Sequence, residues 1–113
     1  MSVSDRRSGI QRISDERARH LSIGWSASHD EGHDEAQLAI AAACYAAPVR
    51  IYTRGRRGGF RDAWPWEEEA DKRPYDVDGK PRAPTARERV RLLEKAGALI
   101  AAEIDRLIRE EES

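Results

Sequence analysis

Apolar residues recur at helical spacing in three stretches of the chain. In the first stretch they are Ile10, Ile13, Ala18 and Leu21. This spacing predicts a helix that begins near Gly9 and ends before Gly24, because glycine readily adopts the conformation that closes a helix. Residues 1–8 are polar and are expected to form a flexible N-terminus.

The second stretch is the least polar part of the chain and predicts a helix that ends before Pro48. Asp30 and Asp34 are suitable N-caps, so we expect this helix to begin around residues 30–34. One of its faces carries Leu38, Ala41, Ala42 and Tyr45. Alanines surround this face, which would let a neighbouring helix approach closely.

A third helix is predicted from Thr85, because Thr85 and Glu88 have the residue types and spacing of a capping box. Apolar positions then recur at Val90, Leu93, Gly97, Ile100, Ile104 and Leu107. Small residues on the same helix are expected to match the alanines of the second helix. They are Gly97, Ala98, Ala101 and Ala102.

Residues 48–83 interrupt the helical pattern with repeated glycines and prolines, which exclude a long regular element. Val49–Thr53 could be a short strand or an extended arm. Trp64 and Trp66 argue against disorder, since two indoles are expected to dock on the rest of the protein. The sequence therefore predicts a single all-α domain over 1–113. Its three main helices would be joined, between the second and third, by a long irregular functional loop.

Composition sets limits on the core and on the partners. The 113 residues are 36% charged and 6% aromatic, so the core must be small and we expect a homo-oligomer to bury further apolar surface. A net charge of −1 argues against a general nucleic-acid coat and a membrane-surface protein. No apolar stretch suits a membrane span and no secretory leader is visible, so a cytoplasmic protein is expected.

Candidate chemistry begins where the second helix is expected to start. His29 and His33 are four residues apart, a spacing that on a helix can hold one metal ion, as in His-Glu-x-x-His. Gly32 and the aspartate at Asp30 weaken that interpretation, and no third ligand is evident. The alternatives are a structural role, with an aspartate capping the helix, or a role for His29, Asp30 and His33 as polar groups that face a ligand. We predict no metal and no cofactor.

An arginine-glycine run in the loop suits phosphate. Its arginines are Arg50, Arg54, Arg56, Arg57 and Arg61, with no acid among them. Guanidinium groups and exposed backbone amides both bind phosphate, although no Gly-Lys-Ser/Thr follows and this is not a P-loop. The plain alternative is a solvated basic run, and a nucleic-acid partner is not expected because the chain is nearly neutral.

Aromatic side chains could stack on a base or on guanidinium groups, and the candidates are Trp25, Tyr45, Tyr52, Trp64, Trp66 and Tyr75. No serine or cysteine stands in a nucleophile motif, and the lone Cys44 reads as a small buried apolar residue. The sequence thus favours a binding protein over an enzyme.

Several blocks resemble a family of small accessory proteins of tailed phages and prophages that has no assigned activity. They are Asp15-Glu16-Arg17, Gly24-Trp25, His29-Asp30, His33, Leu38-Ala39, Ala41-Ala42, Tyr45-Ala46, Trp64-Pro65-Trp66 and the block Lys95–Leu107, which begins Lys-Ala-Gly-Ala-Leu-Ile. Related chains usually continue after Trp-Pro-Trp with a further tryptophan and Lys-Pro, whereas residues 67–74 here are more acidic. The order of elements is also similar to the ryanodine-receptor repeat domain, a small helical module associated with nucleotide-like ligands.

The resemblance and the residues together predict a phage-type anti-defence protein in a bacterial host cell. It would bind a small phosphorylated, nucleotide-like ligand without turning it over. The predicted site comprises Trp25, His29, Asp30, His33, Tyr45, Arg54, Arg56, Arg57, Trp64 and Trp66. The alternatives are a protein-interaction module that inhibits a host protein or regulates phage genes, and a metal-dependent hydrolase.

Overall fold

The computed structural model of the protein describes residues 5–23 and 36–112. They form three helices, a β-hairpin and a short 3₁₀ turn. The elements are α1 (Gly9–Ser22), α2 (Gln37–Ala46), β1 (Tyr52–Arg54), β2 (Phe60–Asp62), the 3₁₀ turn (Glu68–Ala70) and α3 (Ala86–Glu112). None of these helices is long and apolar enough to cross a membrane.

The three predicted helices and the long connection before the last are confirmed, but the expectation of a purely helical protein is wrong. β1 and β2 pair antiparallel, with Thr53 opposite Arg61. The turn between them is possible because Gly58 and Gly59 adopt φ values of 82° and 72°, which side-chain-bearing residues rarely take. Val49–Thr53, read as a strand or an arm, thus contains most of β1.

The core lies between α2 and α3. Its buried residues are Leu38, Ala41, Ala42, Tyr45, Leu92, Ala96, Leu99 and Ala102, with Trp64 and Trp66 of the loop packed against them. The close helix pair expected from the alanines is present. Gly97, however, faces α1, because a Cβ atom there would lie 2.6 Å from Cγ1 and Cδ1 of Ile13.

Helix α2 begins at Gln37, later than the expected start around residues 30–34. Helix α3 begins as predicted. The Thr85 hydroxyl accepts from the Glu88 amide at 3.2 Å, and the Glu88 carboxylate accepts from the Thr85 amide at 3.0 Å. Arg82 adds a bidentate ion pair with Glu88, in which both N–O distances are 2.8 Å.

The apolar row that predicts α3 is not its buried face. Leu93, Ile100, Ile104 and Leu107 are each about half exposed. The side chains that pack inward are Leu92, Ala96, Leu99 and Ala102. Helix α3 therefore has a second apolar face that the described part of the chain covers only in part, through α1.

Candidate functional site

The loop after α2 is docked against the helices. Pro48 cannot continue α2, and Arg89 of α3 donates to the carbonyl oxygens of Tyr45 at 3.1 Å and of Ala46. These are carbonyls that lack partners inside a helix that ends here, so the guanidinium caps α2 and fixes the direction in which the loop departs.

Buried ion pairs hold the loop together further along. Arg73, 6% exposed, contacts Asp71 at 2.7 Å and Asp62 at 2.9 Å. Arg50 contacts Asp62 at 3.0 Å, and its guanidinium lies 4.9 Å from the centre of the Tyr75 ring. Burial alone would raise the pKa of Asp71, but the hydrogen bonds from Arg73 outweigh it and lower that pKa. The cluster joins β2 to residues 71–75 with balanced charge.

Three predicted aromatic residues lie together on the α2 side of the loop. The ring centres of Tyr45 and Trp64 are 5.0 Å apart, and those of Trp64 and Trp66 are 5.5 Å apart in an edge-to-face arrangement. The Tyr45 hydroxyl donates to the Ala70 carbonyl at 3.2 Å and accepts from the Lys72 amide at 3.1 Å. Burial raises the pKa of Tyr45 to about 12, so its hydroxyl stays protonated. The indoles dock as expected and turn residues 66–72 toward α1.

A cavity of about 570 Å³ lies between α1, the core helices and this part of the loop. We call it the α1–loop cavity. Its described lining residues are Arg19, His20, Ile23, Tyr45, Trp66, Glu67, Ala70, Lys72, Lys95 and Leu99. Three of them are cationic, whereas Glu67 is the one carboxylate in this described lining. The cavity is therefore positively charged, with an indole on one wall.

The cations are arranged around a carboxylate buried beside the cavity. Glu16 is 4% exposed, and its oxygens lie 2.9 Å from Arg19 and 2.8 Å from Arg91. Burial would raise the pKa of Glu16, but these hydrogen bonds outweigh it and lower the pKa from 4.5 to about 2. Glu16 therefore remains ionised and ties α1 to α3.

His20 and Lys95 meet the same carboxylate from two helices. His20 Nε2 lies 3.1 Å from Glu16 Oε2, and burial lowers the pKa of His20 despite the neighbouring charge. A neutral His20 must carry its proton on Nε2, since a carboxylate only accepts. Burial and the charge of Arg91 lower the pKa of Lys95, against the opposing effect of Glu16. An anion beside Lys95 would offset this loss of solvation, since a nearby negative charge favours the charged form of an amine.

The arginines predicted to bind phosphate lie away from the α1–loop cavity. Arg54, Arg56 and Arg57 are exposed on the hairpin, and none of them lines the α1–loop cavity. Of the predicted aromatic residues, Tyr45 and Trp66 line it, whereas Trp64 lies behind them. Trp25, His29, Asp30 and His33 lie outside the described residues. Whether any of these residues contacts a ligand stays a prediction.

Sequence reasoning missed the cations that do line the cavity: Arg19, Lys72 and Lys95. It also missed the buried pair of Glu16 and His20. Their spacing of four residues on one helix is a usable signal, because it places an acid and an imidazole on the same face of α1. Lys95 gave no signal, since its position beside Glu16 depends on how α1 crosses α3.

The described lining of the α1–loop cavity includes neither the cysteine nor a set of metal ligands. Cys44 is buried and lies outside the lining, and burial raises the pKa of its thiol, which keeps it protonated. Within residues 5–23 and 36–112, no group of histidine, cysteine and acidic side chains could hold a metal ion. The histidine pair considered for metal, His29 and His33, is not among those residues.

Comparison of the chain with protein-family models, with curated proteins and with solved structures found no match.

Proposed function

We propose that the protein is a non-catalytic binding module that takes up a small phosphorylated, nucleotide-like ligand in the α1–loop cavity. The observation that carries the proposal is the lining itself. Arg19, Lys72 and Lys95 face a space whose wall includes the indole of Trp66, with a single described carboxylate to oppose them. Cations suit phosphate, and an aromatic face suits a base.

Size and electrostatics agree with such a ligand. A volume of about 570 Å³ falls within the range of small-molecule pockets, roughly 300–1,000 Å³. The pKa of Lys95 is lowered because its side chain is buried and because Arg91 is nearby. Its charged form is therefore not fully offset by negative charge. A phosphate group beside Lys95 would supply it, and binding would raise the pKa of Lys95.

The proposed setting is sequestration. A protein that binds a nucleotide-type signal without turning it over lowers the free concentration of that signal. The sequence resemblance to phage accessory proteins suggests the setting, and an anti-defence role in the cytoplasm of a bacterial host cell is our proposal within it. The ionised Glu16 and the neutral His20 are held in hydrogen bonds beside the cavity, which supports a pre-formed site more than a reacting one.

Calorimetric titration tests the proposal with a panel of AMP, cyclic nucleotides, cyclic dinucleotides and ADP-ribose, with adenosine as the control that lacks phosphate. We expect at least one phosphorylated compound to bind in the micromolar range, with adenosine weaker by more than about tenfold. Trp66→Ala should weaken the bound compound further. Heat from none of the panel at millimolar concentration would remove the proposal.

Mass spectrometry can identify a bound ligand without a preselected panel of compounds. Purified protein is heated, and the small molecules released are compared with those released by the Lys95→Met variant. A phosphorylated compound that is released by the wild-type protein and depleted in the variant supports the proposal. Equal amounts from both proteins would place that compound elsewhere.

A second candidate function is a protein-interaction module, which the outward apolar face of α3 favours. Ile100, Ile104, Leu107 and Ile108 are each about half exposed along two turns of the helix. Self-association is the simplest use of such a face and agrees with the expected homo-oligomer. Light scattering of the wild-type protein and of Ile104→Glu tests it: a wild-type monomer at micromolar concentration excludes self-association.

A further inference from the structure

Most arginines of the described chain are paired, but those of the hairpin are not. Arg7, Arg12, Arg17, Arg19, Arg50, Arg73, Arg82, Arg91 and Arg106 each contact a carboxylate within 3.3 Å. Arg54, Arg56, Arg57 and Arg61 are exposed, and none of them forms an ion pair or hydrogen bond with the described residues. Four positive charges therefore stand uncompensated within eight residues.

The hairpin geometry places aromatic rings among these charges. Arg54 is opposite Phe60, and Tyr52 lies two residues before Arg54 on the same strand. Cross-strand partners and residues two apart share one face of a ribbon, so Tyr52, Arg54 and Phe60 lie on one face. Tyr52 and Phe60 are 55% and 76% exposed. Both rings are therefore accessible to a partner.

The tip extends this face. Arg56 and Arg57 occupy the turn between Gly55 and Gly58, whose amide donates to the Gly55 carbonyl at 3.2 Å. Because Gly58 and Gly59 take positive φ values, the turn is tight, and Arg56 and Arg57 lie at the end of the ribbon.

We propose that this hairpin binds single-stranded nucleic acid. Its arginines would contact the phosphodiester backbone, and Tyr52 and Phe60 would stack on unpaired bases. An acidic peptide would satisfy the arginines but gives no reason for two exposed rings. A duplex would leave those rings without unstacked bases to contact. The combination of cations and aromatic faces therefore favours single strands.

The near-neutral chain does not oppose this proposal, because its charge is segregated. Without the four hairpin arginines the formal charge of −1 would be −5. The rest of the molecule therefore repels nucleic acid, and the hairpin would be the part that approaches it. The expectation that nucleic acid is not a partner rested on the net charge alone.

Fluorescence anisotropy with labelled single-stranded DNA and RNA of identical sequence tests the proposal at about 50 mM salt. If Arg54, Arg56 and Arg57 contact phosphate, the logarithm of the binding constant should fall with the logarithm of salt concentration with a slope of about −2. Arg56→Gln/Arg57→Gln should weaken binding about tenfold. Tyr52→Ala/Phe60→Ala should weaken it by a similar factor through lost stacking.

The matched control removes the same charge from another surface. Arg7→Gln/Arg87→Gln should leave the affinity within about twofold, because neither side chain is near the hairpin in sequence and Arg7 already pairs with Asp5 and Asp15. Arg56→Lys/Arg57→Lys should retain most of the binding, since charge is kept. Circular dichroism of every variant should match the wild-type protein, because all the altered hairpin side chains are exposed.

Three results would overturn the proposal. The first is no binding of either strand at micromolar protein. The second is an equal loss in the Arg7/Arg87 control, which would indicate net charge alone. The third is full binding by Tyr52→Ala/Phe60→Ala together with equal competition by heparin, duplex DNA or anionic phosphatidylserine vesicles, which would indicate a general polyanion surface. Equal binding of DNA and RNA supports the proposal, and a preference between them identifies the natural partner.

Discussion

The Nζ atom of Lys95 on α3 lies 3.8 Å from Oε2 of the buried Glu16 on α1. This pair joins the first and last described helices at the edge of the α1–loop cavity. Glu16 also binds Arg19 and Arg91, so one carboxylate is shared by several cations. The excess of positive charge is what makes the cavity suitable for an anion, and it makes Glu16 important for stability.

The first prediction concerns acid stability. The pKa of Glu16 is lowered from 4.5 to about 2 in the folded protein. A lowered pKa means that the unfolded state binds the proton more readily. This stabilisation is therefore complete above pH 4.5 and is lost as the pH falls toward 2. Glu16→Gln should lower the free energy of unfolding at pH 7 by about 3 kcal/mol.

Urea unfolding from pH 7 down to pH 2 measures this effect. The difference between the wild-type protein and Glu16→Gln should narrow as the pH falls below 4.5. Glu111→Gln, at an exposed position near the end of α3, is the control and should follow the wild-type curve. A difference that stays constant with pH would show that Glu16 acts by packing and not by charge.

The second prediction concerns the contact of α1 with α3. Gly97→Ala places a Cβ atom 2.6 Å from two carbon atoms of Ile13. Replacing a glycine inside a helix by alanine stabilises the protein by about 1 kcal/mol, but overpacking against Ile13 costs about 1–3 kcal/mol. We expect a net loss of about 1 kcal/mol. In the Ile13→Ala background the same change should stabilise the protein, because the obstructing side chain is gone.

A double-mutant cycle by chemical denaturation measures this coupling. Gly97→Ala that stabilises the protein even with Ile13 present would contradict the close approach of the two helices. The cycle also separates the steric effect of the Ile13 side chain from the effect of helix propensity. The gain in propensity from Gly97→Ala is the same in both backgrounds and cancels in the comparison.

The third prediction concerns how the loop is held. Asp71→Asn leaves the buried Arg73 short of a charged partner, which should cost about 3 kcal/mol. Hydrogen exchange should then increase in peptides that cover residues 60–75, more than in α3. Asp78→Asn in the exposed turn is the control. Unchanged exchange over 60–75 would mean that the ion pairs do not hold the loop.

Local signals in the sequence predicted local features of the fold. The capping box of Thr85 and Glu88 is confirmed because all its contacts lie within four residues. The docking of the indoles was predicted from their apolar surface alone. The tightness of the α2–α3 pair followed from alanine, which leaves no side chain to separate two helices.

Features set by distant residues could not be predicted. The apolar row of α3 that includes Ile100 and Ile104 carries larger side chains than the inward row with Ala96 and Ala102. Side-chain size therefore favoured the row that is half exposed. The row that is buried is the one that packs against the alanines of α2. Arg73 pairs with Asp62, which lies eleven residues earlier at the end of β2, a strand of only three residues. The α1–loop cavity depends on both of these arrangements.

The most direct test of the central claim is a calorimetric comparison of two matched lysine variants. It uses the phosphorylated compound that binds the wild-type protein best. Lys95→Met removes a cation of the α1–loop cavity, and Lys80→Met removes one from the exposed turn before Pro81. We predict that Lys95→Met weakens binding about tenfold or more, while Lys80→Met stays within about twofold. Equal affinities of Lys95→Met and the wild-type protein would contradict the account.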